Sequence, residues 1–293
     1  MKFLVLKMIF DKKILLIKWE VSLYYWLPFF VLNTCFFASC NLDSPAAGKQ
    51  VFISDGYENK VVDGYWLYLP NNFTKDRKWP IILFLQGGHG ASPNPKTAKN
   101  DGPTKFVFEE KVNEELYQYV ADSFIIINPH MRTGPKEKRQ WFQFSKTLIE
   151  MLEEVEKGFS GNSSKIYLTG LSRGGAGSWE LAKQYPQKFA AVIPIAGIVT
   201  CKSNCDNLKQ LPTWLFHNQG DDVISVDFPR STVDYFKEEF GISFYKINHT
   251  HPRIIELEKD YIFSEMEIQG HDAWNVTYAS PEIYQWLLKH EKK

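Results

Sequence analysis

A series of short apolar runs, each closed by glycine, proline or polar residues and spaced by stretches of helical periodicity, limits this chain more than any other feature. "WPIILFLQGG", "SFIIINPH", "KIYLTG", "AAVIPIAG" and "TWLFHNQG" are near-continuous in apolar character rather than alternating, the pattern of strands covered on both faces. Between and after them lie amphipathic segments. "KTLIEMLEEVEKGF" places Leu148, Met151, Leu152 and Val155 on one helical stripe, "SWELAKQYPQKF" runs to Pro186, and "TVDYFKEEFG" stops at Gly241. "SPEIYQWLLKH" opens with Ser280 at the N-cap and Pro281 in the first turn, both favoured there. "VFISDGY" and "YWLYLP" alternate with period two and read as antiparallel entry strands, and "ISFYKIN" reads as a further strand. The alternation predicts one α/β domain over residues 51–293, with a mostly parallel central sheet, antiparallel N-terminal strands and helices on both faces.

At the joint between "KIYLT" and "GAGSWELA" stands Gly170-Leu171-Ser172-Arg173-Gly174. A serine in a sharp strand-to-helix turn, with small residues two positions to either side, is the arrangement that exposes a nucleophile at the end of a sheet. A serine hydroxyl attacks only if a base takes its proton and an acid orients that base. Downstream, the loop after "TWLFHNQG" carries Asp221 and Asp222, and position favours Asp221 because Val223-Ile224 resumes apolar packing directly after the pair. Near the C-terminus, before the last helix, His271 stands in "QGHDAW". His249 and His251 are its competitors but border an apparent strand, and His217 precedes the acid loop and is expected to support it. Charge developing on a tetrahedral intermediate calls for fixed donors. The Arg173 backbone N–H is one, and an amide of the loop "QGGHGAS" is the other, at Gly88 or, second, Gly87.

The stretches "YWLYLPNNFTKDRKWPIILFLQGGHG", "KIYLTGLSRGGAGSWELAKQYPQKFAAVIPIAG", "HNQGDDVISV" and "GHDAWNVTYASPEIYQWLL" together resemble the phospholipase/carboxylesterase branch of the α/β-hydrolases, and more narrowly its exported, predicted-peptidase or feruloyl-esterase-like members. The resemblance implies an α/β-hydrolase fold, hydrolysis of carboxylic esters without metal or other cofactor, and Ser172, Asp221 and His271 as the catalytic triad. It also implies Trp141 and Trp274 as walls of the substrate pocket. Two positions depart from the family pattern. Gln86 stands where a strand-end histidine is usual, and Arg173 replaces a residue that is commonly methionine. A cation beside the nucleophile either attracts a substrate anion or, more simply, projects into solvent or pairs with a neighbouring acid.

Lys and Arg total 34, as do Asp and Glu, which gives no global field for nucleic acid. Residues 1–39 differ from the rest: several lysines precede "YYWLPFFVLNTCFFASC", the make-up of an export signal. "FASC" resembles a lipobox, which implies cleavage before Cys40 and a lipid anchor on its thiol, with residues 40–50 as linker. The competing readings are an ordinary cleaved signal or a retained single span. The expected product is an exported, membrane-anchored enzyme, periplasmic or on the cell surface, acting on a small-molecule or saccharide-linked ester. In an oxidising compartment Cys201 and Cys205 either pair or remain free thiols. Two rivals stand beside the esterase: a peptidase on the same triad, and a catalytically silent hydrolase fold serving as a binding lipoprotein.

Overall fold

The computed structural model describes residues 45–54, 61–99, 101–109, 113–132, 139–201, 205–248 and 254–292. Residues 1–39, expected as an export signal, together with Cys40, His249 and His251, lie outside the described residues. The described strands are β1 (Gln50–Ile53), β2 (Val62–Tyr68), β3 (Trp79–Leu85), β4 (Ile125–Met131), β5 (Gly161–Leu171), β6 (Ala191–Ile195), β7 (Thr213–Gly220), β8 (Tyr245–Ile247) and β9 (Tyr261–Gln269). The described α-helices are α1 (Lys105–Phe108), α2 (Glu114–Ser123), α3 (Ser145–Gly158), α4 (Arg173–Gln184), α5 (Asp227–Phe240), α6 (Trp274–Tyr278) and α7 (Pro281–Lys289).

The strands form one sheet in the order β1-β2-β4-β3-β5-β6-β7-β9-β8. β1 and β2 join antiparallel, β2 joins β4 antiparallel, and the remaining neighbours are parallel. The apolar runs sort by pleat, as side chains alternate faces along a strand. Ile81, Leu83 and Leu85 of β3 and Ile125 and Ile127 of β4 share one core with Leu148, Leu152 and Val155 of α3, Trp179 of α4 and Phe236 of α5. Ile82, Phe84 and Ile126 point the other way, into a core with Val120 of α2, Tyr278 of α6 and Ile283, Tyr284 and Leu287 of α7. The result is a three-layer sandwich, and every residue of β3 is buried.

Two elements carry no clear apolar signature. α2 reads as a polar stretch because only Leu116, Val120 and Ala121 of its ten residues are buried. β9 is interrupted by Glu265 and Glu267, yet it lies between β7 and β8. Glu265 has a side chain only 1% exposed. Arg230 on α5 grips both of its oxygens, Nη2 to Oε1 at 2.6 Å and Nε to Oε2 at 3.2 Å, and Lys246 of β8 reaches Oε2 at 2.7 Å. A buried carboxylate so paired is tolerated where an isolated one is not.

Between β6 and β7, Cys201 and Cys205 form a disulfide with Cα atoms 5.8 Å apart, which decides between the two readings of that pair. No helix among the described residues is long and apolar enough to cross a membrane.

The Arg230 hydrogen bond, opposed by burial and aided by Lys246, holds Glu265 down from 4.5 to about 2. A carboxylate depressed on folding stabilises above its unfolded value, and that contribution is lost as pH falls toward the folded value. Discounted for the partly exposed cations, it amounts to about 1–2 kcal/mol. Urea unfolding of the parent protein and Glu265→Gln should differ by that margin at neutral pH, with the gap closing between about pH 4.5 and pH 2.

Candidate active site

β5 ends at Leu171 and α4 begins at Arg173, so Ser172 alone turns the chain, with φ 52° and ψ −116°. A non-glycine residue in this region carries strain of about 1–3 kcal/mol. The surroundings hold it. The Ser172 N–H donates to the Ile195 carbonyl at 2.8 Å and the Ser172 carbonyl accepts from Ala176 at 3.0 Å. The turn also brings helix and strands closer than side chains allow. A methyl group on Gly174 would lie 1.8 Å from the Leu85 carbonyl oxygen, and one on Gly170 would lie 2.3 Å from the Gly174 carbonyl oxygen. The glycines are there for backbone approach, as the sequence pattern implied.

Two loops from distant parts of the chain meet this serine. His271, two residues beyond β9, places Nε2 2.8 Å from Ser172 Oγ. Its Nδ1 lies 2.7 Å from Asp221 Oδ2, so Nδ1–H donates to the carboxylate and Nε2 is left to accept the hydroxyl proton. Asp221 directly follows β7, and its side chain is fully buried. Its other oxygen accepts from the Val223 and Ile224 N–H groups, both at 2.9 Å. Burial alone would raise the Asp221 pKa, but these donors and His271 outweigh it and leave the carboxyl below its ordinary value. Asp222 is exposed.

His217 lies on the other side of Asp221. Its Nε2 is 2.8 Å from the Ile224 carbonyl and 3.1 Å from Asp221 Oδ2, and burial lowers its pKa. It therefore stands as a neutral ring whose single Nε2–H is shared between the loop and the carboxylate. The sequence assigned it support of the loop, but the contact with the acid itself has no sequence signature.

Arg173 occupies the first turn of α4, where the backbone N–H has no acceptor within the helix. Gly88 sits against the same residue: a methyl group placed on it would come 3.3 Å from an Arg173 guanidinium nitrogen. Gly88 thus lies against the Arg173 side chain. Gln86 is fully buried, and its carbonyl accepts from Trp141 Nε1 at 2.9 Å.

The two tryptophans part company. Trp274 is half-buried, edge-on to His271 at 5.2 Å and nearly parallel to His89 at 6.4 Å, where a pocket wall would stand. Trp141 is fully buried and packed on Gly177 of α4. Contrary to expectation it offers no surface to a pocket: its ring fills the gap that Gly177 leaves and its N–H pins the end of β3. Arg173 also departs from the simpler expectation, since it does not extend into solvent and pairs with no acid among the described residues. It is half-buried, with Nη1 4.0 Å from Met131 Sδ. Among the described residues no three His, Cys, Asp or Glu side chains gather as a metal-binding set.

A family model described as "Putative esterase" matches residues 64–223, more than half of the chain. The chain belongs to this esterase family. The matched span contains Ser172 and Asp221 and ends before His271. Of curated relatives, the bifunctional acetylxylan esterase/xylanase of Neocallimastix patriciarum is 22% identical over 59% of this chain and 24% of its own length. Dipeptidyl-peptidase 5 of Porphyromonas gingivalis is 26% identical over 47% of this chain and 20% of its own. The chain thus spans a quarter or less of these relatives. The crystal structure of a thermostable esterase superposes with a TM-score of 0.61 at 23% identity, over 83% of this chain and 63% of that one, which establishes the α/β-hydrolase fold.

Because backbone rather than side chain meets an added methyl, Gly174→Ala should destabilise by about 3 kcal/mol or more. Gly158→Ala, where nothing lies within 4 Å, should shift unfolding by no more than about 1 kcal/mol. Parallel urea titrations of the two variants would test the difference.

Proposed function

We propose that this chain is a serine hydrolase that cleaves carboxylic esters through an acyl-enzyme. What carries the reading is the unbroken hydrogen-bonded line from Ser172 Oγ through the His271 ring to Asp221, on a chain of an esterase family. As Ser172 attacks the ester carbonyl, its proton passes to His271 Nε2. Asp221 holds Nδ1–H and stabilises the imidazolium. The oxyanion is received by the backbone N–H of Arg173 and an amide at Gly88. His271 then returns the proton to the departing alcohol. In the second half a water, deprotonated by the same nitrogen, attacks the acyl-enzyme, the acid leaves, and Ser172 regains its proton. Trp274 forms part of the substrate wall. The N-terminal segment fits export with Cys40 as a lipid anchor, and the substrate is a small or saccharide-linked ester.

The peptidase relative gives the second reading, amide cleavage by the same three residues. An amine is the poorer leaving group, and the chain matches only a fifth of that relative's length, so esters are favoured. A panel of 4-nitrophenyl esters, feruloylated sugars and short peptides separates the two.

Ser172→Ala should remove ester turnover and fluorophosphonate labelling while the circular dichroism spectrum stays unchanged. Labelling of the folded variant would reject the nucleophile. Asp221→Asn should lower kcat by about three to four orders of magnitude, against no more than about twofold for the exposed Asp222→Asn. Steady-state kinetics on one chromogenic ester suffices for this comparison.

A further inference from the structure

The proton relay uses the backbone of Arg173 and leaves its side chain unexplained. The guanidinium folds back over the loop after β3 instead of extending into water. A methyl group on Gly88 would lie 3.3 Å from Nη2, 3.6 Å from the guanidinium carbon and 3.8 Å from Nε, so the flat cation lies against the loop expected to hold the oxyanion. Among the described residues its one polar contact is the Met131 sulfur at 4.0 Å, a weak acceptor. No carboxylate among the described residues pairs with it. Arg230, in contrast, is held by both Glu265 and Asp227. Burial lowers the Arg173 pKa, yet a guanidinium remains charged at any physiological pH.

A partly desolvated cation without an acceptor is unfavourable by itself, and the same desolvation strengthens its attraction for an anion that arrives. The guanidinium fork matches a carboxylate in two-point geometry. It also stands at the N-terminus of α4, a helix of 12 residues, whose dipole adds positive potential at that end. Arg173 directly follows Ser172 in the chain, and its guanidinium lies on the loop after β3 that carries the expected oxyanion amide.

We propose that the Arg173 guanidinium is a specificity-determining group that binds a carboxylate carried by the ester substrate close to its scissile carbonyl. The site then prefers half-esters of dicarboxylic acids and similar anionic esters over neutral ones. This rests on the ester-hydrolase reading of Ser172, and the test keeps the two apart.

The full chain would be assayed with 4-nitrophenyl butyrate and mono-4-nitrophenyl glutarate, similar acyl chains of which one ends in a carboxylate. The parent protein should favour the glutarate ester in kcat/KM by about tenfold or more, the worth of a charge-assisted hydrogen-bonded pair. In Arg173→Met that ratio should collapse, chiefly through KM for the glutarate ester, whatever happens to butyrate. Arg173→Lys, which keeps the charge without the fork, should retain part of it. Raising salt from about 0.05 to about 0.5 M should erode the preference of the parent protein, a reading that needs no variant to fold. Separately, free glutarate titrated calorimetrically into Ser172→Ala should bind, and binding should vanish in Ser172→Ala/Arg173→Met. Butyrate turnover with no glutarate preference and no glutarate binding overturns the proposal and leaves the esterase standing. Equal loss of both esters in Arg173→Met, with the ratio unchanged, assigns the guanidinium to the oxyanion and also overturns it. Arg173-dependent glutarate binding without turnover of either ester supports the anion site and removes the ester-hydrolase reading.

Discussion

The backbone of Ser172 is the constraint around which the rest of the site is arranged. Its positive φ is unfavourable for a residue with a side chain, and it persists because three neighbours fix the turn at once. Ile195 of β6 accepts its N–H, Ala176 of α4 donates to its carbonyl, and the glycines let α4 press on the end of β3. The apolar strands matter to chemistry through this pile-up. They are rigid enough to impose an unfavourable backbone conformation, and that conformation puts a hydroxyl at the edge of the sheet where two other loops can reach it.

The acid side is built on a different principle, saturation with hydrogen bonds. Asp221 is fully enclosed, which would favour its neutral form, yet two backbone amides and His271 keep it charged. His217 reaches the same oxygen as His271, at 3.1 Å. A carboxylate so surrounded has little freedom to move, and His271 inherits that fixity through Nδ1. Orientation passes from a buried loop to a ring that is still 16% exposed.

How much of this could be read from residues alone varied with the physical source of the signal. Strands β3 to β7 and helices α3, α4, α5 and α7 were legible because their burial is one-sided or complete and so leaves a periodic trace. The serine joint was legible because only glycine tolerates the contacts at positions 170 and 174. β9 was not, since Glu265 breaks its apolar run and becomes acceptable only through Arg230 and Lys246, partners remote in sequence. α2 hides because most of its surface is polar. Trp141 was misread for a similar reason: an aromatic ring has the same composition whether it lines a cleft or fills the space left by Gly177. The placement of Arg173 depends on where the β3 loop lies, which no local pattern encodes.

The sheet order has a consequence for how the molecule comes into being. β8 precedes β9 along the chain but lies outside it at the edge, so its place in the sheet depends on β9, which alone links it to β7. The histidine loop hangs from the far end of β9. A nascent or clipped chain can therefore complete the elbow and the acid loop and still be inert. Juxtaposition of Ser172, Asp221 and His271 thus requires β9 to be seated beside β7, because His271 follows β9 by two residues and Asp221 directly follows β7.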